Sequence, residues 1–213
     1  MNAIEPLLTR ANTRQAALLL ARRDPVIARL TQVIGFPDFP CPTDTPFAAL
    51  VRTITQQQLA TAAAPTIHTR LVTALDGQVT PGRLLVLPGQ TLREAGLSAN
   101  KTASLQDLAA RTLSGDVNLD PGRLAQQSDE TVTAHLTAVR GIGLWTAQMF
   151  LLFHLHRPDI WPTGDLAMRR ASLTPGRFPP PWPANCSAWV SRSGPSAASW
   201  PGTAGRPVGS GPT

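Results

Sequence analysis

The sequence predicts an all-α protein, and three observations carry that prediction. Apolar residues recur at three- and four-residue spacing over most of the chain up to Leu155. Helix-start signatures punctuate it at Asp24-Pro25, Asp44-Thr45-Pro46, Asp120-Pro121 and Ser128-Asp129-Glu130. No run in this region alternates strictly between apolar and polar residues, as a half-buried strand would.

Taken in order, the periodic residues Ala16, Leu19, Leu20, Val26, Ile27 and Leu30 predict helix from Thr13 to Ile34. Pro25 interrupts it, and Asp24 is placed to cap a second helix. Residues 35–42 read as a loop. Thr45-Pro46 then starts a helix carrying Phe47, Leu50, Val51 and Ile54. The polar cluster Thr55-Gln56-Gln57-Gln58 breaks that stripe before Ala62, Ala63, Ile67, Leu71 and Leu75 resume it. Pro65 falls inside the resumed helix, where an interior proline costs about 3 kcal/mol or forces a kink.

Residues 77–82 read as a turn, and 89–101 as a short helix followed by another turn. Leu105, Leu108 and Leu113 predict an amphipathic helix over 101–113, stopped by Gly115. A brief helix follows Asp120-Pro121. Ser128 opens the next, whose Val132, Leu136 and Val139 share one face and which ends at Gly141. The segment 144–155 is apolar nearly all round, which predicts the buried central helix.

Of the 213 residues 42% are hydrophobic and 15% charged, a balance that supports a packed core. The net charge is +6, carried almost entirely by arginine because Lys101 is the only lysine, and it favours a polyanionic partner. Two cysteines, Cys41 and Cys186, are too few for a disulfide scaffold, a zinc cluster or an iron–sulfur site. His68, His135, His154 and His156 form no ligand set. With no basic-then-apolar leader and no bilayer-length apolar stretch, the expectation is a soluble, cytoplasmic, nucleoid-associated bacterial protein. From Ser172 the chain turns to Pro, Gly, Ser and Ala without acid, lysine or period, and it holds Trp182, Trp189 and Trp200. That is the composition of GC-rich coding sequence read out of frame. Residues 172–213 therefore read as a frameshifted or disordered tail behind a domain over 1–171.

Helix, Arg140-Gly141-Ile142-Gly143, helix is a helix-hairpin-helix pattern, spanning about 128–155. Glycine at both positions tolerates positive φ and clears the approach, so N–H groups at the start of the second helix can face a phosphate. Carbonyls of Thr137, Val139 and Ile142 can hold a monovalent cation, a structural Na+ or K+; no cofactor is required. A bare Gly-x-Gly equally marks an ordinary tight helix–helix turn.

With these residues in hand the chain resembles the helix-hairpin-helix DNA glycosylases, specifically the 3-methyladenine glycosylase II (AlkA-type) branch. The carriers are Thr53-Ile54-Thr55-Gln56-Gln57-Gln58-Leu59-Ala60, Gly96-Leu97-Ser98 with Lys101, the hairpin, and Pro162 to Arg170. Individually weak, they are specific together. The resemblance implies two helical subdomains, with double-stranded DNA and a flipped alkylated base in the cleft between them, and a monomer with no membrane partner.

It also assigns roles. Asp165 matches the catalytic aspartate. A helix-start carboxylate stays ionised, opposes the charge that builds at C1′ and orients the attacking water; an ordinary N-cap is compatible with the same placement. Trp145 stands where bifunctional relatives carry a Schiff-base lysine, and no lysine is near in sequence, so hydrolysis without strand cleavage is expected. Its indole suits cationic alkylated purines, although a core tryptophan has the same signature. Trp145 and Gln57 are assigned to the base pocket. Thr55, Gln56 and Gln58, with Arg140, Gly141, Ile142, Gly143 and Thr146, are assigned to DNA, Thr55 as the wedge that fills the flipped base's gap. The competing expectation is a helix-hairpin-helix DNA-binding protein with impaired or no activity, since the continuation after Asp165 is unrecognisable.

Overall fold

The computed structural model describes residues 8–57 and 63–166. Among them are ten α-helices and no strand. In order these are α1 (Arg10–Ala21), α2 (Pro25–Ile34), α3 (Pro46–Gln56), α4 (Ala63–Ala74), α5 (Pro81–Val86), α6 (Gly89–Glu94), α7 (Ala99–Ser114), α8 (Pro121–Gln126), α9 (Asp129–Thr137) and α10 (Leu144–Phe153). No helix among the described residues is long and apolar enough to cross a membrane. The expected tail over 172–213 lies outside the described residues.

The described chain forms two compact units, Cys41–Ile160 and Leu8–Pro40 with residues 161–166. The larger unit holds the core. Leu50, Val51 and Ile54 of α3, Leu84 of α5, Leu92 of α6, Leu105, Leu108 and Ala109 of α7 are all fully buried. Val132 and Leu136 of α9 and Leu151 of α10 join them at 1% exposure. Within this unit α7 packs on α3, α5 and α6, while α3 also meets α4 and α10, and α9 meets α10. Thus α3 and α7 form the frame on which the 138–143 turn rests.

In the smaller unit α1 packs on α2. Thr9 and Asn12 form a reciprocal capping box at the start of α1, and the Asp24 carboxylate accepts from the Val26 N–H at 2.7 Å ahead of Pro25. Arg14 lies over the Phe36 ring, 5.0 Å from its centroid. The smaller unit has little core of its own, since α1 buries only Thr13 and Ala17 and α2 buries nothing.

The sequence signals place most boundaries. Thr45 caps α3 with Pro46 at its first position. Ser98 caps α7, which ends on Gly115 in the left-handed region, and Ser128 caps α9 with Asp129 and Glu130 in its first turn. Two expectations are corrected. Pro65 stands in the first turn of α4, not the interior of a long helix, because α3 ends at Gln56. A first-turn N–H has no partner within the helix, so a proline there forfeits nothing. The expected turn over 77–82 is shorter than predicted, because Thr80 accepts from the Arg83 N–H and starts α5 at Pro81.

A third correction concerns α10. Thr146, Ala147, Phe150 and Leu151 are buried, but Leu144 is 55%, Trp145 42% and Phe153 58% exposed. The helix is apolar all round without being buried all round. Its C-terminal end is tied down by Arg157, a buried residue whose Nη2 donates to the carbonyls of Leu124, Ala125 and Gln127. Those are the end of α8, where carbonyls lack partners and a cation is favoured.

Candidate functional site

The turn between α9 and α10 is built from the α7 side. Gly141 has φ +77, and a Cβ there would fall on the Ser104 hydroxyl. Glycine is therefore required twice over, by conformation and by space. One turn along α7, the Asp107 carboxylate accepts from the Arg140 N–H at 2.7 Å. The same carboxylate takes both of its remaining contacts, at 3.1 Å, from Nε of Arg111. Asn100, one turn earlier, accepts from the exposed Arg140 guanidinium at 3.4 Å. Inside the turn the Ile142 N–H closes onto the Val139 carbonyl at 3.1 Å, with both side chains buried.

Gly143 differs from Gly141. Its φ is −92, within reach of any residue, and a Cβ there would meet nothing within 4 Å. Positive φ, which either glycine tolerates, is adopted only at the first. At Gly143 the missing side chain leaves open space in front of α10, whose start has no side-chain cap. Among the described residues the N–H groups of Gly143 and Leu144 meet no protein acceptor. Uncapped amides at the positive end of a helix dipole form a ready anion site.

From the other side the turn is held by α3. Gln57 Nε2 donates to the Gly141 carbonyl at 3.1 Å and to the Thr146 hydroxyl at 3.3 Å. Gln57, assigned to the base pocket, thus also braces the hairpin. One assignment is corrected: the Thr146 side chain, 4% exposed, faces inward instead of toward DNA. Thr55 is corrected as well. It is fully buried and its hydroxyl donates to the Val51 carbonyl at 2.8 Å, so it cannot wedge into a base stack. The polar cluster that looked like one surface is split by helical geometry, 100° per residue. Thr55 points into the core, Gln57 to the hairpin and Gln56 to solvent, while Gln58 lies outside the described residues.

Lys101 stands on α7 between Asn100 and Ser104. Its Nζ donates to the Thr55 carbonyl at 2.7 Å, and desolvation lowers its pKa from the ordinary lysine value. Trp145, at the second position of α10 and 42% exposed, is not a core tryptophan.

Of the proposed cation ligands, the Val139 carbonyl already accepts one hydrogen bond, and those of Thr137 and Ile142 accept none from the described backbone. The three carbonyls therefore retain the lone pairs a monovalent cation needs. No group of His, Cys, Asp or Glu among the described residues suits a metal ion.

Asp165 belongs to the smaller unit. Its N–H donates to the Pro162 carbonyl at 2.9 Å, just after the Thr163 N–H donates to that of Trp161 at 2.9 Å. The residue is half-buried and is followed by the helical Leu166. The remainder of that segment, including Arg169 and Arg170, lies outside the described residues. The sequence reading missed Asn100, Ser104 and Asp107, whose spacing of four and three places them on one face of α7 as a polar stripe. It also missed Arg157, for which no sequence pattern gave a signal.

Comparison with known proteins agrees with the helical fold. Residues 51–175 match the family described as HhH-GPD superfamily base excision DNA repair protein. The chain is 31% identical over 169 residues to DNA-3-methyladenine glycosylase 1 of Schizosaccharomyces pombe, covering 78% of this chain and 74% of that protein. Among solved structures, a 3-methyladenine DNA glycosylase of the same yeast in complex with abasic DNA superposes with a TM-score of 0.68 at 31% identity. That match covers 78% of this chain and 82% of the other. The DNA-3-methyladenine glycosidase of Bacillus halodurans gives a TM-score of 0.65 at 28% identity, covering 78% and 75%. With its helical fold, its glycine hairpin and these relatives, the chain belongs to the HhH-GPD superfamily of base excision DNA repair proteins.

Proposed function

We propose that this protein is a monofunctional DNA glycosylase that flips an alkylated purine of the 3-methyladenine type out of duplex DNA and hydrolyses its N-glycosidic bond. The observation that carries the reading is the uncapped start of α10 behind the open Gly143, braced from α7 and α3. Backbone amides there receive a DNA phosphate, with Arg140 and Gln56, both exposed, beside the strand. The Thr137, Val139 and Ile142 carbonyls are suited to a Na+ or K+, which would supply positive charge toward the phosphate.

The chemistry falls to Asp165. A ring-alkylated purine is cationic, so the C1′–N bond breaks with its electron pair leaving on a neutral base. The carboxylate opposes the positive charge that develops on the sugar. Water then bonds to C1′ and gives up a proton to the carboxylate, leaving an abasic site. The exposed Trp145 face favours a cationic, electron-poor base by stacking. A lyase route needs a free amine at the sugar. The chain's single lysine is already donating to the Thr55 carbonyl, which supports simple hydrolysis.

The test is release of free base from alkylated duplex DNA, with and without subsequent alkaline cleavage. Free base, and strand breaks only after alkali, is the expected result. Breaks without alkali would establish a lyase. A second reading, a DNA-binding protein without turnover, draws on the family match ending at residue 175 of 213. Under it the duplex shifts in a gel and no base is released.

A further inference from the structure

We propose that Lys101 and Gln57 form a positioning relay that sets the hairpin for DNA, running from α7 through the last turn of α3 to the Gly141 carbonyl. The proposal rests on the DNA-binding reading of the hairpin above and adds to it two residues that act through the hairpin backbone.

A helix end leaves its last carbonyls without internal partners. At the end of α3 the Lys101 ammonium supplies one at Thr55, 2.7 Å away. Two residues on, Gln57 leaves the helix as its C-cap, with extended ψ of 136. Its amide then reaches the Gly141 carbonyl at 3.1 Å and the Thr146 hydroxyl at 3.3 Å, 84 and 89 positions away in sequence. Thr55 itself is immobilised, fully buried with its hydroxyl on the Val51 carbonyl. Lys101 thus pins the carbonyl that fixes where the chain turns, and the turn fixes where the Gln57 amide points.

The circuit closes on α7. The helix that carries Lys101 also carries Ser104, against which Gly141 sits, and Asp107, which accepts the Arg140 N–H. Gly141 is held by its carbonyl from α3 and by its Cα face from α7. Such two-sided support fixes the plane of the peptide that follows Gly141, two residues before the open amides of Gly143 and Leu144. Keeping those amides aimed before DNA arrives removes an ordering cost from binding. Solvation also favours an engaged role for the lysine: burial lowers its pKa, so its charge is held at some cost against a single carbonyl.

The test uses the full chain and a duplex containing a stable abasic-site analogue, at one salt concentration. Lys101→Met and Gln57→Ala are each expected to weaken binding about 5–10-fold, the usual weight of one such hydrogen bond. The single-turnover excision rate of Lys101→Met at saturating alkylated duplex should stay near that of the wild type. Because both residues serve one path, the double variant should bind no worse than the weaker single one. Losses that multiply in the double variant overturn the relay. So does wild-type affinity in either single variant. If Lys101→Met shows no cooperative unfolding, Gln57→Ala decides alone, since its half-buried side chain fills no core position. Wild-type protein that neither releases base nor shifts the duplex overturns the glycosylase reading itself. Wild-type protein that does both, beside unaltered variants, overturns only the relay.

Discussion

The turn at 139–143 and the turn at 161–165 both use glycine, and on the proposed reading each presents a functional group, but Gly141 and Gly164 sit in different surroundings. At Gly141 the backbone is in the left-handed region with Ser104 against it, Gln57 donates to its carbonyl, and Asp107 accepts from the N–H of the preceding Arg140. At Gly164 the backbone is not in that region, and a Cβ would meet nothing within 4 Å. Among the described backbone hydrogen bonds of that turn are Thr163 N–H to Trp161 and Asp165 N–H to Pro162. Anchoring a phosphate with backbone amides demands a fixed backbone, whereas a carboxylate acts through a side chain that has torsions of its own. On the proposed reading, the glycine whose neighbours leave it no room belongs to the turn whose backbone is the reagent.

The largest effect separating the two turns should come from the carboxylate. Asp165→Asn is expected to lower base excision roughly 10²–10³-fold or more while duplex affinity stays near wild type. Retained turnover would remove the aspartate from the chemistry, and lost binding would merge the roles of the two turns.

Next comes Gly141→Ala. A positive φ costs alanine about 1 kcal/mol, and forcing the methyl onto Ser104 adds about 1–3 kcal/mol. Urea unfolding should thus show a loss of about 2–4 kcal/mol. Gly164→Ala, in open space without positive φ, should change stability by less than about 0.5 kcal/mol. Equal losses in the two variants would erase the contrast.

Gly143→Ala separates fold from function within one turn. Its backbone accepts any residue, so stability should fall by no more than about 1 kcal/mol. Its methyl enters the space before the α10 amides, however, and duplex affinity should drop about 10-fold or more by titration. Unchanged affinity would place the phosphate elsewhere.

The smallest effect is a pH dependence in the helical frame. Burial lowers the pKa of His68, with Arg52 adding to the shift and Asp44 opposing it. Burial also lowers that of His154, where Asp44 opposes the shift and Arg52 and His156 add to it. Below 6.5 the unfolded chain takes up these protons before the folded one, so stability falls with pH from 6.5 down to the lowered folded values. Replacing both with Gln should flatten the unfolding midpoint across that window. A midpoint that rises on acidification would contradict the sign.

Much of this was legible from residues alone. Thr45-Pro46, Asp120-Pro121 and Ser128 start helices where they were expected, because capping is decided by neighbours within four residues. The hairpin was legible for the same reason. Thr55 and Thr146 were misplaced because burial depends on segments far away in the chain. A polar side chain on a short stretch reads the same whether it meets solvent, a helix carbonyl or another turn.

What the sequence determined by itself is therefore the local chemistry: helices with their starts and stops, a glycine turn able to expose amides, and an aspartate opening the segment after it. The tertiary structure alone decided that Gly141 must be glycine while Gly143 need not be, and that the lone lysine braces α3. It also turned one of three consecutive polar residues into the core, one to the hairpin and one to solvent. Local hydrogen bonding and torsional preference act over a few residues and leave their mark in the order of amino acids. Space and partnership between distant segments exist only once the chain has packed.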